Sequence, residues 1–354
     1  MLNYGQFMES SAKKQPTLGD VARVAGVSKA TASLALNNNP LTAARTREAV
    51  LQAAESLGYE TNLLAQNWSK GRCHNTVGLF SLNLEFGIRT QKLHAIQNVL
   101  TQNGFDVPLY ISRTGESDNP VALLRTLRRQ RPRALVYNTS EVAPHWQADL
   151  LAELERYENE GGIVVSYDYP TELACDQVLF DREHNTYLAA KHLLEQGHRQ
   201  IGFCHFRYHD PDRPRFRGFV RALAEYGLEP RADWIWSGGS YEERGAKLAA
   251  EFVALAERPT AVCVVNDVAA SVFVNEIQRA GLRVPRDVSV VGHDDILAAR
   301  YAAVRLTTVT HPVAVIAQQV VELLLRRMGG GENDAPQQII CRGELVERDS
   351  VAAF

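Results

Sequence analysis

The sequence predicts a small all-α headpiece followed by a large parallel α/β domain, and three observations carry that reading. Residues 16–39, PTLGDVARVAGVSKATASLALNNN, place two short amphipathic helices around a tight turn at Ala25-Gly26-Val27. From Asn75 onward, short apolar runs alternate with amphipathic stretches, the pattern of a doubly wound parallel sheet. At 354 residues, with 45% apolar residues, the chain exceeds the usual single-domain length and can bury a sizeable core.

The first helix has a start and a stop. Thr17 is placed to cap the amide of Asp20, and Gly26 can take the left-handed conformation that ends a helix; between them Leu18, Val21, Ala22 and Ala25 form a buried stripe. Val27 continues the apolar pattern, and Ser28 is placed to cap a second helix from Lys29 to about Asn37. Ala32, Ala35 and Leu36 then face inward, leaving Lys29, Ala30, Ser33 and Leu34 outside. Small alanines let two helices approach closely, and a helix-turn-helix sets the start of its second helix against base edges in a DNA major groove. Two packed helices with no nucleic-acid role would share this spacing.

Thr42 is read as the cap of a third helix with Val50, Ala53, Ala54 and Leu57 on one face and Gly58 as its stop. A short helix-capable stretch, residues 62–68 (NLLAQNW), and the linker 69–72 follow. So short a helix orders only when packed against something, which makes it a candidate hinge.

In the larger domain the runs 76–82, 134–137, 163–167, 201–205, 261–265 and 288–291 read as buried strands. Helical periods occupy 90–103, 121–129, 148–160, 186–196, 217–226, 242–256, 268–280 and 313–327. The length suits two α/β units in tandem.

Charge is uneven along the chain: residues 1–72 carry a balance of +3 and the remainder −6, so the smaller domain has the sign DNA requires, though weakly. Cys73, Cys175, Cys204, Cys263 and Cys341 are scattered and form no C-x-x-C pair, so neither a disulfide framework nor a zinc site is expected. The N-terminus has no signal-peptide pattern and no apolar run reaches membrane-spanning length, so a cytoplasmic location without membrane partners is expected.

Several motifs together make a specific resemblance. DVARVAGVSKATAS, Thr46-Arg47, Leu57-Gly58-Tyr59 and Asn62-x-x-Ala65 are followed by Gly197-His198-Arg199-x-Ile201, Arg217-Gly218-Phe219 and Asn266-Asp267. Val290-Val291-Gly292-x-Asp294-Asp295, Leu306-Thr307-Thr308-Val309 and Arg348-Asp349-Ser350 complete the series. In this order the chain resembles the lactose-repressor (LacI/GalR) family of bacterial transcription regulators over all but about the first sixteen residues. The resemblance implies a regulatory domain of two doubly wound lobes, similar to periplasmic sugar-binding proteins, joined by three crossings. Residues 75 to about 170 and about 301 to 328 would build the lobe nearest DNA, and the rest the other. The expected organisation is a flexible tail at 1–16, a helix-turn-helix headpiece at 17–60, a hinge helix and linker at 61–74, and an effector-binding and dimerisation domain at 75–354.

Ligands of open α/β sheets bind beyond the carboxyl ends of the strands. Asp168, Arg215, Asn266 and Asp294 follow predicted strands or open helices there, and each matches an effector-binding position of the resembled family by motif. Carboxylates accept from vicinal hydroxyls, Arg215 offers a donor fork and Asn266 both donates and accepts, a set suited to a sugar or nucleoside. Residue by residue, a helix cap is an equal explanation, and Asp267 and Asp295 are read as caps. The same cluster with His293 invites an enzyme reading, but no G-x-S-x-G, H-E-x-x-H or P-loop occurs, so neither catalysis nor a cofactor is expected. A cytoplasmic sugar-binding protein or sugar-acting enzyme without DNA regulation is the alternative.

The expected partners are near-palindromic double-stranded operator DNA, a second copy of the chain, and the small-molecule effector. Candidate DNA contacts are Thr17, Ser28, Lys29, Ala30, Thr31, Ser33, Leu34, Asn37 and, in the hinge, Trp68. Most family members carry Arg where this chain has Leu34, which cannot hydrogen-bond to a base edge. Lys29 is therefore assigned to a guanine or phosphate, Ala30 and Leu34 to thymine methyls, and Ser28, Thr31 and Ser33 to phosphates. In the hinge Thr61, Gln66 and Trp68 replace the family's Pro, Arg and leucine wedge, and Trp68 either unstacks a base step or packs against the regulatory domain. After one strand the family's Asp-Asn-x-x-Gly becomes Asp181-Arg182-Glu183-His184-Asn185, which keeps only the capping Asp.

Overall fold

A computed structural model describes residues 16–36, 39, 42–57, 59, 73–82, 87–112, 119–139, 144–205, 213–239, 241–330 and 334–354. The expected hinge up to residue 72, Asn37, Gly58, Trp68 and nearly all of the expected tail lie outside them. The chain divides into two compact units, Met1–Cys73 and His74–Phe354.

The first unit holds helices α1 (Leu18–Val24), α2 (Lys29–Leu36) and α3 (Ala44–Leu57). Its core is Val21, Ala22, Ala32, Ala35, Val50, Ala53 and Ala54, with Leu18, Ala25, Val27, Leu36 and Leu57 packed around it. These are the inward faces the sequence predicts. The start of α3 is a correction: the residue before it is Ala43, so Thr42 is one position too early to be the cap. Thr42 instead accepts through its carbonyl from Arg47 at 3.3 Å, and the same guanidinium reaches the Asn39 carbonyl at 2.8 Å.

The second unit contains two six-stranded sheets. The first is built from β1 (Cys73–Leu82), β2 (Leu109–Ser112), β3 (Pro132–Asn138), β4 (Ile163–Asp168), β5 (Asp176–Phe180) and β11 (Gln338–Cys341), in the order β11-β5-β4-β3-β1-β2. The second contains β6 (Ile201–Cys204), β7 (Ile235–Trp236), β8 (Ala261–Val264), β9 (Ser289–Asp294), β10 (Thr307–Thr310) and β12 (Leu345–Val346), in the order β12-β10-β9-β8-β6-β7. Position by position the two orders coincide, but the last edge strand differs in direction: β11 runs parallel to β5. β3–β4, β4–β5, β8–β9 and β9–β10 pair in parallel, and β12 runs antiparallel to β10.

The first sheet is covered by α4 (Gly87–Gln102), α5 (Pro120–Arg129), α6 (Pro144–Asn159) and the later α12 (Val313–Met328). The second is covered by α7 (Arg182–Glu195), α8 (Pro214–Ala224), α9 (Tyr241–Ala254) and α10 (Asp267–Arg279), with a short α11 (Leu297–Tyr301). Every helical window of the sequence is a helix. The crossings lie further along the chain than expected: after β5 rather than near residue 170, after β10 rather than near 301, and after β11 rather than near 328. The reason is chemical. Asp176 and Gln177 open β5 as buried polar residues, and β10 reads Thr-Thr-Val-Thr, so neither segment showed the apolar run by which strands were recognised.

Two contacts depend on glycine. A Cβ on Gly218 would lie 2.0 Å from the Glu183 carbonyl oxygen, so α8 meets the first turn of α7 backbone to backbone. A Cβ on Gly343 would lie 2.0 Å from the Thr310 carbonyl, where the Gly343 amide donates to Asn185 Oδ1 at 3.0 Å. The family tail motif stitches the second lobe: Ser350 Oγ donates to the Val290 carbonyl at 2.6 Å and accepts from the Thr307 amide at 2.8 Å, and Asp349 pairs with Arg305 at 2.7 Å.

Candidate functional site

In the headpiece the turn is built as the sequence predicts. Thr17 Oγ1 accepts from the Asp20 amide at 3.3 Å, and the Asp20 carboxylate accepts from the Thr17 amide at 3.0 Å, a reciprocal cap. Gly26 has φ +67°, and Ser28 Oγ accepts from the Thr31 amide at 3.0 Å to start α2. Each such cap contributes about 1 kcal/mol. The outer surface of α2 exposes Lys29 and Ala30, with Leu34 47% exposed, while Thr31 and Ser33 are half-buried. The Ser28 and Thr31 hydroxyls also lie 2.9 Å apart, so both are preoriented on one edge of the helix start. The stem of Lys29 lies over Gly19, where any Cβ would come within 2.7 Å of its Cε. That contact directs the ammonium across the start of α1, a constraint the sequence did not signal.

In the second unit, Asp168 ends β4 and Asp294 ends β9, the third strand in each sheet order. Both occupy left-handed backbone, with φ +101° and +102°. Such non-glycine conformations cost of order 1–3 kcal/mol each and persist where surrounding contacts enforce them, often at functional sites. Asp168 is enforced by an ion network. Its Oδ2 receives Lys92 Nζ at 2.5 Å and its Oδ1 receives Arg182 Nη2 at 2.5 Å, while Arg182 Nη1 donates to the Asp168 carbonyl at 2.8 Å. The guanidinium also stacks 3.5 Å above the Tyr169 ring, and Asn138 approaches Oδ2 at 3.5 Å. Burial alone would raise the Asp168 carboxyl, but Lys92, then Arg182 and His311, hold it well below the usual carboxylate range.

Asp294 faces His311, whose Nδ1 lies 3.4 Å from Oδ1. Among the described residues Asp294 is the group nearest to a hydrogen bond with His311, and the imidazole stacks on Phe180 at 3.7 Å. Burial pushes Asp294 upward, and His311 with the Arg215 guanidinium outweighs it, so the carboxyl sits below its ordinary value. Arg215 enters from the first turn of α8 and also bears on His293. Asn266 stands just past β8, where its side chain accepts from the Ala269 amide at 2.9 Å and caps α10.

The four predicted residues therefore stand at carboxyl ends of strands or at the helix starts beside them, but their duties differ. Asp168 has both oxygens engaged, Asn266 is a cap, and Asp294 and Arg215 share one electrostatic environment. Two further readings are corrected. Asp267 is not a cap: fully buried, it receives the Thr308 hydroxyl at 2.7 Å and the Ile296 amide at 3.1 Å, and burial, with Asp294 nearby, raises it well above the carboxylate range. Asp295 pairs instead with Arg348 at 2.6 Å and Arg300 at 2.9 Å. The sequence reading missed Lys92, Arg182 and His311. Lys92 was discoverable, because it lies on the face of α4 that buries Leu93, Ile96 and Leu100.

Burial holds His311 down at about 4 and His293 at about 3, so both are neutral in the folded protein at pH 7. Their unfolded values lie near 6.5, so the unfolded chain takes up protons first as pH falls. Stability is therefore full above about pH 6.5 and declines toward pH 4, by on the order of 3 kcal/mol for His311. Urea titrations at pH 7 and pH 5 check this, and a midpoint that does not move would remove the neutral buried imidazoles from the account.

A capped helix pair exposing a small-residue face, and a separate domain of two α/β sheets of the same strand order with charged residues at their strand ends, are the architecture of a DNA-binding regulator. A model of the bacterial regulatory proteins of the lacI family matches residues 17–62, and one of the periplasmic-binding-protein-like domain matches residues 190–351. The chain is 32% identical to the HTH-type transcriptional repressor PurR of Proteus mirabilis (strain HI4320), over 95% of its own length and 97% of that protein's. It is 30% identical to PurR of Aliivibrio salmonicida (strain LFI1238), over 88% and 92%. Its fold is similar to that of the Lac repressor dimer bound to operator and the anti-inducer ONPF, with TM-score 0.82 and 26% identity over 96% of this chain and 100% of that one. The chain belongs to the lacI family of bacterial regulatory proteins. It is a DNA-binding transcriptional regulator and not an enzyme.

Proposed function

We propose that the chain is a repressor that binds a near-palindromic operator as a homodimer and is controlled by a sugar- or nucleoside-class molecule held between the two lobes. The observation that carries the DNA half is α2, which buries Ala32 and Ala35 while turning Lys29, Ala30 and Leu34 outward. An exposed leucine among small residues suits thymine methyls, and Lys29 suits a guanine or phosphate. Two-fold symmetry would then set two α2 helices in successive major grooves. The effector half is supported by the buried pair of His311 and Asp294 at a strand end, where the Nε2 of His311 meets no hydrogen-bond partner among the described residues.

Selection of duplexes by the full-length protein from a random pool tests this. A near-palindromic site is expected, with affinity falling steeply as salt rises, because phosphate contacts release counterions. Leu34→Ala is expected to relax the preference at one symmetric pair of positions, by about 1–3 kcal/mol per base pair. An unchanged selected sequence would remove Leu34 from base reading, and no selected sequence at all would overturn the DNA assignment.

A further inference from the structure

Resting on the reading of α2 as the recognition helix, we infer that Lys29 grips a DNA phosphate rather than a base edge, and that Gly19 is the residue that positions it, leaving operator sequence to Ala30 and Leu34. Gly19 stands in the first turn of α1, a helix already started by the reciprocal cap of Thr17 and Asp20. Its backbone is helical and not left-handed, so any residue could take it, and glycine is, after proline, the poorest helix former. Neither conformation nor propensity therefore accounts for a missing side chain at this position. Space does: an added Cβ would lie 2.7 Å from Lys29 Cε, 3.3 Å from Lys29 Nζ and 3.5 Å from Thr17 Oγ1. No backbone atom is among these three, so the bare glycine makes room for the lysine and not for the fold.

Lys29 is exposed at the first turn of α2, and its stem is laid back over α1. No charge holds it there. Asp20, the carboxylate of α1, is taken by Arg23 and by the Thr17 amide and hydroxyl, the last two at 3.0 and 2.7 Å, and among the described residues Lys29 enters no ion pair. The apolar stem rests on bare backbone while the ammonium stays in water, still able to bind an anion. In a helix-turn-helix the second helix faces base edges and the first crosses the DNA backbone. An ammonium lying across the start of α1 is therefore on the backbone side of the motif, where a compact charge with three rotatable donors suits a phosphate. A lysine reading guanine would instead extend from α2 toward the O6 and N7 edge, the direction in which Ala30 and the exposed Leu34 offer only apolar contact.

The test uses full-length protein and two measurements: selection of duplexes from a random pool, and affinity for the duplex selected by the unaltered protein, between about 50 and 200 mM salt. Lys29→Met is expected to select the same sequence, to bind about tenfold or more weaker, and to flatten the slope of log affinity against log salt by about two, one for each copy in a dimer. Gly19→Ala is expected to match or exceed the unaltered protein in denaturant midpoint, since alanine is the better helix former, yet to lose about threefold or more in affinity with a flatter salt slope. In the Lys29→Met background the same substitution is expected to change affinity no further. Undiminished affinity in Lys29→Met, or a selected sequence altered at one symmetric pair of positions, would overturn the phosphate assignment while leaving α2 as the recognition helix. Unchanged affinity and salt slope in Gly19→Ala, or an equal loss with and without Lys29, would overturn the positioning role of Gly19. Failure of the unaltered protein to select any sequence would overturn the recognition-helix reading itself.

Discussion

Asp168→Ala is expected to destabilise the regulatory domain by about 3–5 kcal/mol, one of the largest effects of any single side-chain deletion in this protein. The substitution removes the one carboxylate that receives both Lys92 and Arg182, and leaves two buried cations facing each other. It also puts alanine at φ +101°, which alanine adopts no more easily than aspartate. A loss of regulation in this variant would therefore report unfolding as readily as a lost ligand contact. Denaturant midpoints separate the two: Lys92→Met introduced into the Asp168→Ala background should recover part of the lost stability, because it withdraws one of the stranded charges. Double-variant stability equal to the sum of the single losses would show that the ion network is not what holds this strand end.

Gly218→Ala is expected to abolish folding of the second lobe, because its Cβ would sit 2.0 Å from the Glu183 carbonyl and 3.0 Å from the Tyr187 amide, both backbone atoms that cannot rotate away. Separating α7 from α8 enough to admit a methyl group would disturb Phe216, Phe219, Ala222 and Leu223 where they pack on Ala189, Ala190 and Leu193. Overpacking of this kind usually costs about 1–3 kcal/mol, and more when backbone is the obstacle. Gly227→Ala is the control: its φ is +69°, but no atom lies within 4 Å of the added carbon, so only the modest cost of a left-handed alanine is expected. Soluble expression and circular dichroism of the two variants decide the point, and a stable Gly218→Ala protein would contradict the close helix contact.

What could be read from the sequence follows from how locally each feature is encoded. The headpiece was legible almost residue by residue, since Thr17, Gly26 and Ser28 act within three or four positions and the alanines of α2 declare their inward face. Thr42 was misread because Ser/Thr is the common cap and the helix in fact starts after Ala43. Helices of the larger domain announced themselves by period, whereas β2 and β7 at sheet edges and the polar β5 and β10 did not. The candidate site was legible as a set of motif positions but not as chemistry. The partner of Asp168 on α4 is 76 residues away, and no spacing rule connects Lys92 to it. Arg182 was visible as a departure from a motif, but its effect depends on the turn that brings it back to a strand end 14 residues earlier.

The exchange of the last strands between the sheets sets the order in which this protein can be made. β11 completes the edge of the first sheet and β12 that of the second, and α12, which fills the core of the first lobe, is synthesised only after β10 of the second. During synthesis from the N-terminus, the first lobe must wait with Val77, Leu79, Val165 and Val178 uncovered by Ile316, Val320 and Leu324 until almost the whole chain has emerged. The first lobe therefore cannot complete its core before the second lobe's strands through β10 have been made.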